Sequence, residues 1–521
     1  MALNGEFFAR TLGVAWLGGT ENFSLKKNVR ATDGNARRAE PTDGNARRAD
    51  ENDGAEPDFF CGNAPGKIRG AAIDSRKILP DEIFVAIKTA NRDGHDFLGA
   101  ALAHGAAGAL VTHFVPEFAA LPQLVVPDTV VALQKVAAAH REKNCRGRVT
   151  IFGVTGSVGK TSTKDLLAAI LSRTASTLAT AGNLNNTLGV PMTLLRIDAS
   201  EHRFAVVEAG MSVPGEMRAL AAMIQPDVAL VTNVRAAHLE GLGTLENIAR
   251  EKSALAASVP PGGEAFFYSE LLHYEAFRAL APEIAVPVEK PTLRERADGF
   301  EFSFGAFDGA ASHAGSIAIS ALAGEKFFVK NASRGLAENA ALAVLAVRKF
   351  VSVETIRRAL ETRLPSANRG EIRSRRSEKS GATDGNGEGG EAWKIFVDCY
   401  NASPSSMADS AEFFSRRFPG GAGTPRLFVL GGMGELGAES AALHFGVGEK
   451  LPLCAATDFL ALFGGNAPQI GEGAASRGFP RERIRVFEKI EALREFVAAF
   501  HGNVMIKGSR AFALERAVPE D

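Results

Sequence analysis

Along most of the chain, short runs of β-branched and aromatic residues alternate with Ala/Leu-rich stretches of helical period. That alternation predicts α/β folding around largely parallel sheets. EIFVAI (82–87), GALVT (108–112) and QLVV (123–126) make a first set of strands. From Val149 the pattern restarts with VTIFGVTG, FAVVEAG (204–210) and DVALVTNV (227–234), each ending at polar residues, where α/β sheets place ligands. KIFVD (394–398), RLFVLGG (426–432), DFLALFG (458–464) and NVMIKGS (503–509) make a third, doubly wound set. The expectation is therefore a three-domain α/β protein divided into 1–127, 128–353 and 354–521.

Two stretches break the pattern. Residues 31–50 are a tandem decamer, ATDGNARRAE then PTDGNARRAD, and residues 377–391, SEKSGATDGNGEGGE, repeat its TDGN. Both have almost nothing to bury and read as low-complexity insertions, the first as a disordered one. Neither has a solenoid period.

Length and charge then narrow the function. A chain of 521 residues exceeds the roughly 250–300 that one core supports. Lys and Arg total 59 against 60 Asp and Glu, a net charge of -1, so no basic field exists to hold a nucleic acid. Cys61, Cys145, Cys399 and Cys454 are too scattered for a disulfide framework or a CxxC metal site and read as packing residues in a reducing compartment. The start, MALNGEFFARTLGVAWLGG, places Glu6 before Arg10 and has no long apolar run, unlike a secretory signal. No segment reaches the roughly 18 apolar residues of a membrane span. A cytoplasmic monomer is expected.

GVTGSVGKTST (153–163) lies between an apolar strand and the helical run DLLAAILS. Strand, glycine loop and helix in that order make a phosphate cradle. The loop residues Gly156, Ser157 and Gly159 let backbone N–H groups converge on phosphate, Lys160 neutralises the β/γ oxygens, and Thr161, followed by Ser162, offers a magnesium ligand. Strict Walker spacing wants glycine at 154, where Val stands one residue after Gly153. Glu208 and His238 follow later strands and could face the same crevice, completing a magnesium site. Taken alone, each is equally readable as a structural or solvated residue.

These residues belong to a longer series. GVTGSVGKTSTKD, GNLNNTLGVPMTLL (182–195), VVEAGMSVPGEM (206–217), TNVRAAHLEGLGTLENIAREK (232–252), VDCYNASPSSM (397–407), VLGGMGELG (429–437) and IKGSRAFALE (506–515) resemble, in order, the motifs of the Mur ligase family. IDSRKILPDEIFVAIK (73–88) and RDGHDFL (92–98) resemble that family's nucleotide-sugar-binding domain. NLNN, YNASPSS and KGSR are similar to the branch that adds D-alanyl-D-alanine, and the DNPR of the diaminopimelate or lysine adder is absent. Folylpolyglutamate synthases share the ATPase core but should lack the DSR segment.

The resemblance implies a UDP-precursor-binding domain, a P-loop ATPase domain and a Rossmann-like domain. It implies ATP and magnesium, two ions, as cofactors, with UDP-N-acetylmuramoyl-tripeptide and D-alanyl-D-alanine as partners. A substrate carboxylate would attack the γ-phosphate, and the dipeptide amine would displace phosphate from the acyl phosphate. By motif position Lys160 and Thr161 hold phosphates and metal, Glu208 and His238 ligand metal, and Lys252 matches a lysine carried as a carbamate. Without the resemblance Lys252 would read as a surface lysine paired with Glu251. Asn339 matches an adenine contact, Arg369 an arginine near the γ-phosphate, and Asp398 a ribose-binding acid. Ser75 and Arg76 would face the UDP moiety. Asn183, Asn186, Asn401, Ser403, Lys507, Ser509 and Arg510 would line the substrate side. Three positions depart from the family pattern: Gly335 replaces a histidine, Gly432 an aspartate, and Ser269-Glu270 an Asn-x-Asp. Two rivals stay open, a Mur ligase of different amino-acid specificity and an inactive nucleotide-binding relative.

Overall fold

The apolar runs become the strands of three principal sheets in the computed structural model, which describes residues 3–19, 64–305, 322–362, 368–375, 393–421 and 423–519. The repeats at 31–50 and 377–391, and Cys61, lie outside the described residues. The chain divides into two units, Met1–Ala139 and His140–Asp521.

In the first unit, strands β1 (Trp16–Leu17), β2 (Gly70–Ala72), β3 (Glu82–Val85), β6 (Gly108–Val111) and β7 (Gln123–Val125) form a sheet of order β1-β7-β6-β3-β2. Only the β1–β7 pairing is antiparallel. A hairpin of β4 (Lys88–Thr89) and β5 (Arg92–Asp93) precedes a 3-10 turn at Gly94–Phe97. Buried His95 accepts from Thr112 N–H at Nε2, 3.0 Å, and lies 2.6 Å from Asp93 through Nδ1.

The second unit contains both remaining large sheets. Strands β8 (Thr150–Thr155), β9 (Thr177–Ala179), β10 (Phe204–Glu208), β11 (Val228–Val231), β12 (Glu264–Tyr268) and β13 (Ala285–Val288) pair in the order β13-β12-β11-β8-β10-β9, every pair parallel. Their near-continuous apolar runs follow from burial on both faces. Phe152 and Val154 join a core with the helices Lys160–Leu171 and Arg334–Val347. Gly153, pointing the other way, faces Leu255 of the helix Leu245–Ala257. Arg334–Val347 is apolar nearly all round (ALAVLAV), as a helix between sheet and helix must be. Strands β14 (Thr292–Arg296), β15 (Gly299–Ser303) and β16 (Lys326–Lys330) add a small antiparallel sheet that periodicity did not announce.

The last sheet comprises β17 (Glu371–Arg375), β18 (Trp393–Val397), β19 (Arg426–Gly431), β20 (Asp458–Phe463), β21 (Ile484–Phe487) and β22 (Asn503–Lys507), in the order β17-β18-β22-β19-β20-β21. It is parallel except for the edge strand β17. Alternate residues of its central strands feed two cores, Phe396, Phe428 and Met505 on one face, Val397, Val429 and Ile506 on the other. The α/β expectation holds for all three sheets.

The cysteine reading needs one correction. Cys145 and Cys399 are buried, and burial pushes their thiols up to about 11 and about 12. Cys454 is exposed on the loop before β20, where a hydrogen bond with Thr457 pulls its thiol down. Among the described residues no helix is long and apolar enough to cross a membrane.

Candidate active site

The central sheet changes winding direction at β8, the first of its strands in the chain: β10 and β9 lie on one side of it, and β11, β12 and β13 on the other. Ligands of open α/β sheets bind at the carboxyl ends of strands around such a point. There β8 turns through Gly156 (φ 148°) and Gly159 (φ 85°) into the helix starting at Lys160. A Cβ on Gly156 would lie 1.9 Å from Thr232 Oγ1, and one on Gly159 2.0 Å from Asn339 Nδ2, so no side chain fits either place.

The segment after β11 grips this loop. Thr232 Oγ1 donates to the Val158 carbonyl (2.7 Å), and Asn233 Oδ1 accepts from Val158 N–H (3.0 Å). Ser157 Oγ donates to the Arg235 carbonyl at 3.0 Å and accepts from its N–H at 2.9 Å. Ser157 is thus a brace of the loop. The helix has no side-chain cap at its start, leaving the first N–H groups, those of Lys160, Thr161 and Ser162 among them, to meet an anion. Thr161 is buried. Lys160 Nζ donates to the Gly156 carbonyl, 2.9 Å. Desolvation pulls the pKa of this ammonium down, against the opposing charge of Glu208.

Two buried groups at this crevice are left incomplete. Glu208, at the end of β10, is 1% exposed; its Oε1 accepts from Asn185 Nδ2 at 2.7 Å, and its Oε2 has no hydrogen-bond partner. Lys252 is 0% exposed on the helix Leu245–Ala257, and its Nζ has no partner either. Burial lowers the Lys252 amine well below the ordinary lysine value, and the nearby charge of Lys160 adds to the shift. The surface-lysine reading is therefore wrong: Glu251 turns away to accept from the N–H groups of Gly215 (2.8 Å) and Met217 (3.3 Å). Unsatisfied buried polar groups are costly, and such atoms beside a phosphate loop suit a ligand-binding role.

The C-terminal half reaches the same place. His238 Nδ1 contacts the Glu435 carboxylate, which follows β19. The charges of Arg369 and Glu435 act on Lys160. Arg369 lies 3.7 Å over the Tyr400 ring, which Arg510 approaches at 5.9 Å; Arg510 also pairs with Glu515. Buried Lys507 bonds Asp398 Oδ2 at 2.7 Å and the Asn401 carbonyl at 3.2 Å, and Ser410 Oγ donates to the same Asp398 oxygen at 2.5 Å. Ser509 Oγ donates to Asn401 Oδ1, 3.3 Å. Asp398, Asn401, Lys507 and Ser509 thus form one cluster at the ends of β18 and β22.

Other expected site residues have structural employment. Ser403 caps the helix Pro404–Arg417 in a reciprocal arrangement with Ser406. Asn186 Oδ1 accepts from Gly189 N–H (2.8 Å) at the start of the helix Gly189–Leu195, and Asn183 is exposed. Asn185, between them, holds Glu208 and was not singled out from the sequence, because NLNN spacing does not tell which amide points inward. Glu435 was likewise missed within VLGGMGELG. Ser75 is buried in the first unit on the turn after β2, next to Arg76, which is exposed and held by Asp74 at 2.9 and 2.8 Å.

The three departures have local reasons. At Gly335 the backbone N–H donates to Asp409 Oδ1 (3.0 Å), and a Cβ would sit 2.9 Å from Oδ2. Asp409 also accepts from Ser333 Oγ at 2.5 Å. A Cβ on Gly432 would meet the Phe512 ring at 2.8 Å. Glu270 pairs with Arg235 and Lys290, both at 3.1 Å.

Comparison with known proteins places this geometry. The "Mur ligase middle domain" matches residues 154–347, and the "Mur ligase, glutamate ligase domain" matches residues 387–510. The UDP-N-acetylmuramoyl-tripeptide--D-alanyl-D-alanine ligase of Escherichia coli (strain K12) is 31% identical over 470 residues, 87% of this chain and 95% of that one. The enzyme of that name from Treponema pallidum is 31% identical over 86% of this chain and 93% of its own. A crystal structure of MurF from Acinetobacter baumannii superposes with a TM-score of 0.71 at 25% identity, covering 99% of this chain and 98% of that one. MurF ligase from Thermotoga maritima in complex with ADP gives a TM-score of 0.66 at 25% identity over 86% of this chain and 96% of that one. With its phosphate loop, incomplete acid and buried lysine set in this frame, the chain belongs to the Mur ligase family.

Proposed function

We propose that this protein is an ATP-dependent ligase that joins D-alanyl-D-alanine to UDP-N-acetylmuramoyl-tripeptide in peptidoglycan precursor synthesis. The observation that carries this is one crevice holding the phosphate loop, the partnerless oxygen of Glu208 and the partnerless amine of Lys252, with Arg369 and Glu435 brought from the other half of the unit. The tripeptide carboxylate attacks the γ-phosphorus of ATP, the bond to ADP breaks, and the dipeptide amine then attacks the acyl carbon. Phosphate leaves, and the amine gives up its proton. In such phosphoryl transfer the protein mainly positions reactants and neutralises charge.

The residues divide those tasks. Lys160 and Arg369 neutralise phosphate oxygens, and the N–H groups of Gly156, Gly159, Lys160, Thr161 and Ser162 orient them. Asn339, packed on Gly159, serves the adenine, and Asp398 the ribose. Asn401, Lys507, Ser509 and Arg510 take the dipeptide side, while Ser75 and Arg76 serve the UDP moiety. Magnesium suits the remaining donors: Glu208 offers a buried oxygen, with Thr161 and His238 beside the loop. Among the described residues no three His, Cys, Asp or Glu side chains group as a metal site by themselves. When bound, the ion neutralises developing phosphate charge. Lys252 fits a carbamate, since burial disfavours its charged form and an amine that adds CO2 and releases a proton presents two oxygens. The domain division we propose is 1–127 for the precursor, 128–353 for ATP and 354–521 for the dipeptide, in a cytoplasmic monomer.

Phosphate release with UDP-N-acetylmuramoyl-tripeptide and ATP tests the reading. Turnover should require D-alanyl-D-alanine. Release with a single amino acid instead would assign a different specificity, and no release with any acceptor would make the chain a nucleotide-binding relative.

A further inference from the structure

His238 sits on the central half of the second unit and Glu435 on the C-terminal half, yet their side chains meet. Both are non-glycine residues with left-handed backbone, φ 57° and 61°. Residues with a Cβ adopt that region rarely, and clusters of them mark functional sites. The two backbones are also joined, Glu240 N–H donating to the Glu435 carbonyl at 3.2 Å, and a Cβ on Gly437 would lie only 3.3 Å from Glu240 Cα. The same loop is tied to the dipeptide side, because Ser509 N–H donates to the Gly432 carbonyl at 3.1 Å. The other neighbour of His238 Nδ1, Ser212 Oγ, stands at 3.5 Å, the limit of a hydrogen bond.

We propose that Glu435 is the positioning carboxylate of His238: it accepts the Nδ1 proton, fixes the ring tautomer, and leaves Nε2 with its lone pair for a divalent cation. This rests on the reading of His238 as a metal ligand. Metal-binding histidines characteristically donate their second N–H to a carboxylate, which orients the ring and raises its basicity. Since the acceptor comes from the opposite half, the cation site is complete only while the two halves are apposed. Coordination would then be linked to the arrangement that brings Arg369 and the Lys507–Arg510 loop to the phosphates.

The test uses the full chain and Mn2+ as the probe, followed by electron paramagnetic resonance with saturating ADP. Calorimetric ADP binding in metal-free buffer and the melting temperature serve as controls. Glu435→Ala should weaken Mn2+ binding about tenfold to a hundredfold with ADP affinity and melting temperature unchanged. Glu435→Gln should recover most of the loss, because its amide oxygen can still accept from Nδ1. Nitrogen NMR of the wild-type His238 ring should show the proton on Nδ1; a proton on Nε2 alone would overturn the proposal even if Glu435→Ala failed to fold. Unchanged Mn2+ affinity in Glu435→Ala, with weakened binding in His238→Ala, would overturn this proposal and leave the ligand reading standing. Unchanged affinity in both variants would overturn both.

Discussion

Lys160 and Lys252 show how one residue type takes two roles by placement alone. Lys160 stands at the mouth of the loop with its ammonium on a loop carbonyl, ready to exchange that weak partner for phosphate. Lys160→Ala should retain the fold and lose catalysis, since removing a preorganised counter-charge costs about 3 kcal/mol at a transition state. Phosphate release should fall below about a tenth of normal, a tenfold loss being about 1.4 kcal/mol; a smaller loss would mean the phosphates bind elsewhere. Lys252 is enclosed, with no partner for its nitrogen. A bare buried amine contributes nothing to folding, so Lys252→Ala should lose most activity, and an added short carboxylic acid should restore part of it by occupying the vacated space. Near-normal turnover of the variant would dismiss the carbamate. The lysines, Glu208 and His238 were legible because their motifs are contiguous in sequence. Burial of Lys252 was not, because its helix mixes charged and apolar positions. Asn185 and Glu435 escaped because their importance lies in which way a loop turns.

At the scale of elements, strands sealed on both faces by helices were readable from continuous apolar runs, and these carry the site. Edge and half-exposed strands were not: β17 reads EIRSR inside a polar tract, and β14 to β16 mix charged with apolar residues. The helix Pro404–Arg417 meets the helix Arg334–Val347 through Asp409, and Gly335 is the residue that admits the carboxylate. Gly335 thus looks less like a lost histidine than like half of a contact joining the two halves. Burial raises the Asp409 carboxyl above its ordinary 3.8, with the Ser333 and Gly335 bonds opposing. A raised folded value gives stability that is fully present below 3.8 and lost as pH rises through the raised value. Asparagine does not titrate, so the melting temperature of Asp409→Asn relative to wild type should climb as pH rises from 3.8 towards neutrality. A pH-independent difference would show that the carboxyl ionises as it does in the unfolded chain.

In the molecule as a whole, the charged groups acting on Lys160 come from both halves of the second unit, so under the proposed function a nucleotide held there would bridge them. A ligand that binds only the folded state at a hundred times its Kd stabilises by about 2.7 kcal/mol. ADP with magnesium should therefore raise the melting temperature of the wild type measurably and that of Lys160→Ala much less; equal shifts would place the nucleotide away from the loop. The cysteines offer a consequence of another kind. Thiolate is the reactive form of cysteine, and among the described residues Cys145 and Cys399 are buried with raised pKa values whereas Cys454 is exposed with a lowered one. In a Cys61→Ser background, a maleimide offered to the native protein at neutral pH should add a single mass increment, at Cys454. That would make the loop before β20 an attachment point for a fluorophore or spin label, obtained without engineering a new thiol.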